Sequence, residues 1–182
     1  MLLIARKKLR IRRCSGSSLA ELPLIFWLVF FFIGFPMIIF GTLGVRYVFL
    51  VNAARAAASA AAQCKSFQVD VSPTDKSAVN ISNQLVAQTV NTFTGIKLQK
   101  TTVSIVICNL SNQNITSQLT ALTKPADTSA NLYDVEVAVQ GQIQPLFTMP
   151  GNIFGPIPGL SAPLSTTARS LAMFENTQGL TQ

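Results

Sequence analysis

Apolar and polar positions divide the chain into a membrane-like stretch followed by a mixed one. Leu22 to Val45 runs for 24 residues without a formal charge. At about 1.5 Å per helical residue that is roughly 36 Å, more than the ~30 Å hydrocarbon core of a bilayer, so one membrane-spanning helix is predicted. Arg46 to Ala62 then contains no Pro or Gly and is dominated by Ala, the best helix former, which extends the helix to about Gln63. Counted from Ser17 the rod is roughly 70 Å long. Pro23 falls in its first turns, where a missing N–H costs little. Pro36 lies in mid-span and predicts a kink. Gly34, Gly41 and Gly44 either permit close helix contact in lipid or reflect the ordinary frequency of Gly in membrane helices. The Ala53 to Ala62 run is likewise either a close-packing face or helix propensity alone.

Past Cys64 the composition turns to Asn, Gln, Ser and Thr with apolar residues interspersed. Ser72-Pro73-Thr74-Asp75 reads as a helix start, with Ser72 as N-cap and Pro73 in the first position. Val79, Val86, Val90 and Phe93 then form one apolar face that Gly95 ends, and this second helix is expected to dock on a sheet. Thr102 to Leu110 reads as a buried strand. Tyr133, Val135, Val137 and Val139 alternate with polar residues as a half-exposed one. Ser111 to Ala130 reads as loop, Met149 to Pro163 as irregular, Leu164 to Phe174 as a last strand and Asn176 to Gln182 as a frayed tail. The strands follow the helices without helical crossovers, so an antiparallel sheet is favoured. The expected fold is α+β: a leader at 1–16, a long transmembrane and juxtamembrane helix at 17–63, and an exported domain at 64–182 with a second helix packed on the sheet.

Charge adds an orientation. The net charge of +7 is concentrated in Arg6, Lys7, Lys8, Arg10, Arg12 and Arg13. Without residues 1–16 the chain would carry eight basic against seven acidic groups, so the high pI is a targeting feature and gives no basis for a nucleic-acid partner. Six cations ahead of the span keep the N-terminus cytoplasmic and export everything past about Arg46. A secretory signal fits less well, because its apolar core is typically about 7–15 residues.

The leader ends in Arg13-Cys14-Ser15-Gly16-Ser17-Ser18-Leu19-Ala20-Glu21. A carboxylate at the head of an apolar span costs on the order of 2.5–3.5 kcal/mol on insertion scales unless it finds a partner, which marks Glu21 as a candidate functional residue. The pattern resembles the type III signal of type IV pilins and pseudopilins. In that family a prepilin peptidase cuts after a glycine and leaves a glutamate fifth in the mature chain; here Gly16 would precede the cut, Ser17 would be the new N-terminus and Glu21 the fifth residue. The order from Gly16 to Glu21, through the apolar run and Arg46-Tyr47 to Ala53-Ala54-Arg55-Ala56-Ala57-Ala58, is similar to the TadE-like pseudopilins of tight-adherence pili. The likeness covers roughly residues 10–64 and only loosely the remainder. It implies a single-pass protein of the bacterial inner membrane with its C-terminal domain in the periplasm. The partners it implies are the membrane, the prepilin peptidase, other pilin or pseudopilin subunits and the pilus assembly machinery, with Glu21 acting in assembly. The alternatives are a minor pilin of another type IV or type II secretion system, and an uncleaved, signal-anchored periplasmic binding or adhesion module.

Catalysis finds little support. The chain has no histidine, the commonest general base and metal ligand. No phosphate loop, Cys-x-x-Cys or nucleophile motif stands out, so no enzyme, no cofactor and no metal site is expected. Asp134 and Glu136 share one strand face, which reads as a solvated face. Cys64 and Cys108 would both lie on the oxidising side. They read either as a disulfide between helix end and strand or as a free thiol and a small buried residue.

Overall fold

The computed structural model describes residues 18–146, 158–159 and 162–182, with side chains from Glu21 onward. Two compact units result, residues up to Ile38 and Ile39–Gln182. The first contains α1 (Ser18–Val29), a π-helical turn (Phe30–Gly34) and the start of α2 (Phe35–Ala62). Pro36 accounts for the π turn. It has no N–H to offer the carbonyl four residues back, and the Phe35 N–H reaches five residues back, to the Phe30 carbonyl, a wide-turn repair of a helix upstream of proline. The helix stays continuous in sequence, and Glu21–Ala62 is long and apolar enough to cross a membrane.

The second unit is α+β. Strands β1 (Ile96–Asn109), β2 (Ile115–Gln118), β3 (Asn131–Ile143) and β4 (Leu164–Met173) form one antiparallel sheet in the order β2-β1-β3-β4. The C-terminal half of α2 and α3 (Ala78–Thr92) share one core with its inner face. That face carries Val103, Ile105, Tyr133, Val135, Val137, Val139 and Ala168, all buried. Leu50 sits over Gly141, where a Cβ would come within 3.2 Å of it. The helix-to-domain boundary predicted at 63/64 therefore falls inside this unit: Leu50, Ala53, Ala54, Ala57, Ala58 and Ala61 belong to its core. An alanine surface lets α3 and the sheet approach α2 together, and Ser82 Oγ on α3 lies 3.5 Å from the Ala57 carbonyl. The close-packing reading of the alanine run is the one the structure supports.

Contacts at each end of its sheet-packed part, from Arg46 to Ala62, set the direction of α2. Arg46 Nη1 donates to the Gln144 carbonyl, just beyond β3. Sixteen residues on, the Ala62 carbonyl accepts from the Glu175 N–H at 2.9 Å, just beyond β4. Helix α3 returns the other way. It starts beside Ser66, whose carbonyl accepts the Ala78 N–H at 3.0 Å, and finishes where Phe93 stacks on Phe49 with ring centroids 3.7 Å apart.

Four local expectations change. Helix α3 begins six residues after Ser72. The Ser72 hydroxyl does accept the Asp75 N–H at 3.0 Å, but the Val71 N–H closes the turn onto the Asp75 carbonyl and no helix follows. The cap is Ser77, which accepts from the Asn80 N–H. Asp70 supports it by accepting from the Ser77 N–H at 2.7 Å and from Asn80 Nδ2. Those donors, the Ser77 N–H foremost, hold the Asp70 carboxyl below the usual carboxylate range. Secondly, the loop at 111–130 contains β2, formed when the chain reverses through Gln113 at φ 56. As an edge strand with little burial it needs no apolar alternation, so its sequence carried no strand pattern. Thirdly, β1 starts earlier than predicted, at Ile96, because a bulge between Leu98 and Lys100 breaks the alternation there. Lastly, the tail is ordered. Thr177–Thr181 forms a 3-10 turn with Gly179 and Leu180 buried. The Met149 to Pro163 segment lies for the most part outside the described residues.

Candidate membrane anchor and assembly site

Glu21 stands in the first turn of α1, at the polar end of an apolar surface. An acidic group there is favoured by the positive end of the helix dipole. It is exposed and makes no salt bridge among the described residues. Gly16 and Ser17 lie outside the described residues. Beyond Glu21 the first unit presents an aromatic cluster in which Trp27 stacks on Phe31 at 5.3 Å and meets Phe30 edge-on at 6.3 Å. Leu24, Phe26, Phe32 and Met37 are also exposed. A soluble monomer seldom presents so continuous an apolar surface, whereas lipid or neighbouring helices would cover it. The glycines differ among themselves: a Cβ on Gly34 would touch the Phe30 ring at 3.3 Å, but Gly41 and Gly44 face open space.

The end of this surface is marked by Arg46, one residue after the uncharged run. Its guanidinium lies over Gly95, which has φ +87 and whose Cβ, if present, would be 2.5 Å from Arg46 Cζ. Only glycine supplies both that backbone conformation and that space. Arg46 thus ties the end of the uncharged run to the start of β1 and the end of β3, a contact with no local sequence signal because its partners lie about 50 and 100 residues away.

The proposed disulfide does not form: Cys64 and Cys108 are both free thiols. Alternation explains it. Ile105 and Ile107 contribute to the core on the helix side of β1, so Cys108 points to the opposite face, in register with Ile115 and Leu132. Cys64 packs against the core from the helix side, its Sγ 3.3 Å from the Ala60 carbonyl. The sheet separates the two. Burial pushes the Cys64 thiol above its ordinary range. When the chain is denatured without reductant, both Cys64 and Cys108 are expected to alkylate. A need for reductant before either reacts would show a bridge and refute this arrangement.

Asp134 and Glu136 also lie on the outer face of the sheet. Glu136 accepts from Arg169 Nη1 across the strands at 3.3 Å, an exposed pair of the kind worth at most about 1 kcal/mol. No protein-family model, curated protein or solved structure matches the chain.

Proposed function

We propose that this chain is a non-enzymatic, pilin-like subunit, a TadE-like minor pseudopilin that acts in assembling a tight-adherence pilus at the bacterial envelope. The observation that carries the reading is the continuity from Gly16-Ser17 and Glu21 through one long apolar helix into a domain built around that same helix's second half. A subunit of this kind presents an apolar stem for lateral packing while its domain clamps the far end of the stem. The N-terminus is cytoplasmic before processing and the domain is periplasmic. A prepilin peptidase removes residues 1–16, and the new Ser17 α-amino group becomes the counter-ion for Glu21 of a neighbouring subunit. In a low-dielectric helix bundle either charge alone is costly, so the pair favours association.

The test is the N-terminal sequence of the membrane-embedded chain after coexpression with its cognate peptidase. Ser17 is the expected first residue. Gly16→Val, which adds a branched side chain at the scissile carbonyl, should leave residues 1–16 in place. Glu21→Ala should be processed normally yet fail to enter the assembled complex. Retention of the leader in the parent chain under these conditions refutes the pilin reading and favours an uncleaved anchor.

A further inference from the structure

Acidic charge in the second unit is gathered at one end of the axis of α2, where Lys65 and Lys76 partly offset it. The acids of this unit are Asp70, Asp75, Asp127, Asp134, Glu136 and Glu175. Glu175 lies against Ala62, Asp70 against the start of α3, and the Asp127 N–H against the Tyr133 hydroxyl, all at the end of the sheet far from Arg46. Asp75 pairs with Lys65 at that same end, at 2.7 Å. Asp134 and Glu136 sit in the register rows of Met173 and Leu171, in the same half. Around Arg46 the order reverses. The Gln144 N–H donates to the Gly95 carbonyl at 2.8 Å, and from there the outward residues of β1 are Lys97, in register with Gln142, and Lys100, in register with Gln140.

The bulge makes this pair. Two strand residues three apart ordinarily point to opposite faces. The register shift between Leu98 and Lys100 inserts Gln99 and resets the alternation. Ile96 and Leu98 before it, and Val103 and Ile105 after it, all contribute to the core. Lys97 and Lys100 therefore both face outward, and both are exposed. At about 3.3 Å per residue they stand roughly 7 and 13 Å along the strand from the Gln144 row that holds Arg46. Arg169, at roughly 20 Å, is already engaged by Glu136. The exposed apolar residues Phe40 and Val45 precede Arg46 on the same helix, and Tyr47 follows it, an aromatic at the level where interfacial anchors sit.

We propose that the β1 edge beside Arg46 is a docking surface for a lipid bilayer, with Lys97 and Lys100 contacting the headgroups of anionic phospholipids. The inference rests on the membrane-anchor part of the function proposed above. Compact ammonium groups within about a Debye length of the surface are attracted by anionic headgroups, while the acids are held at the far end, so the domain carries a charge gradient that points it toward the membrane. Each lysine contributes about fivefold in binding.

The full chain is reconstituted in nanodiscs of phosphatidylcholine, with or without 30 mol % phosphatidylglycerol, and lysine acetylation rates are read by peptide mass spectrometry. Lys97 and Lys100 should react about fivefold more slowly in the anionic discs. Lys65, Lys76 and Lys124 should be unchanged, and 0.5 M salt should remove the difference. Inorganic phosphate added to phosphatidylcholine discs should give no protection, because the recognised source is the lipid surface. Equal rates at Lys97 and Lys100 in the two lipids, or equal protection of all five lysines, overturns the docking surface and leaves the anchor standing. Failure of the chain to enter discs of either composition overturns the anchor and the docking surface together.

Discussion

Gly179→Ala is expected to destabilise the α+β unit by about 3–5 kcal/mol, although alanine is ordinarily the mildest replacement for glycine. A Cβ at this position would lie 1.8 Å from the Lys65 carbonyl oxygen and 2.6 Å from its carbon. Both are backbone atoms, so no rotamer change relieves the clash. The 3-10 turn must lift away from the segment that follows α2. With it go the bonds from the Phe67 N–H to the Gly179 carbonyl at 3.1 Å, from the Gln68 N–H to the Gln182 carbonyl at 2.8 Å and from the Leu122 N–H to the Leu180 carbonyl at 2.7 Å. The Leu180 side chain, fully buried, is exposed as well. Each hydrogen bond contributes about 0.5–1.5 kcal/mol and burial of the leucine about 1.5–3 kcal/mol, and partial relaxation recovers some of the sum. Denaturant unfolding of the full chain followed by tryptic release of the C-terminal peptide measures it. A midpoint equal to that of the parent would show that the C-terminal turn does not lock the domain.

Ala57→Leu is expected to cost about 3 kcal/mol, while Ala56→Leu one residue earlier should be nearly neutral. Helix propensity does not separate the two positions, because Leu is close to Ala as a helix former. Packing does. Ala56 is exposed, whereas Ala57 is fully buried between the inner core and α3, with Ser82 Oγ 3.5 Å from its carbonyl oxygen. Three added carbons have no space, so α3 must move away or the leucine must leave its rotamer wells, the overpacking cost that typically reaches 1–3 kcal/mol. Thermal unfolding of the two variants gives the comparison. Equal midpoints would mean that the alanines serve helix formation only.

Features carried by local pattern were legible in the chain itself. An uncharged run of 24 residues is a long helix whatever it packs against, and alternating Tyr133, Val135, Val137 and Val139 require a strand with one buried face. The α+β class, the second helix ending before Gly95 and the final strand followed from the same periodicities. Glu21 stands out as a candidate in the chain itself because a carboxylate at the edge of an apolar run is anomalous without any knowledge of its surroundings.

What only the tertiary structure decided are relations between distant segments. The N-cap of α3 went to Ser77 rather than Ser72 because Asp70 and the Ser66 carbonyl organise the later turn. The tail became ordered because Gly179 fits against Lys65, more than 100 residues away. Cys64 and Cys108 stayed apart because parity on β1 aims Cys108 through the wrong face of the sheet. A one-residue bulge brought Lys97 and Lys100 onto a common face, although their spacing alone sets them on opposite ones. The physical reason is the same in each case: local sequence determines how a backbone repeats, whereas facing, capping and close approach depend on which remote atoms arrive alongside it.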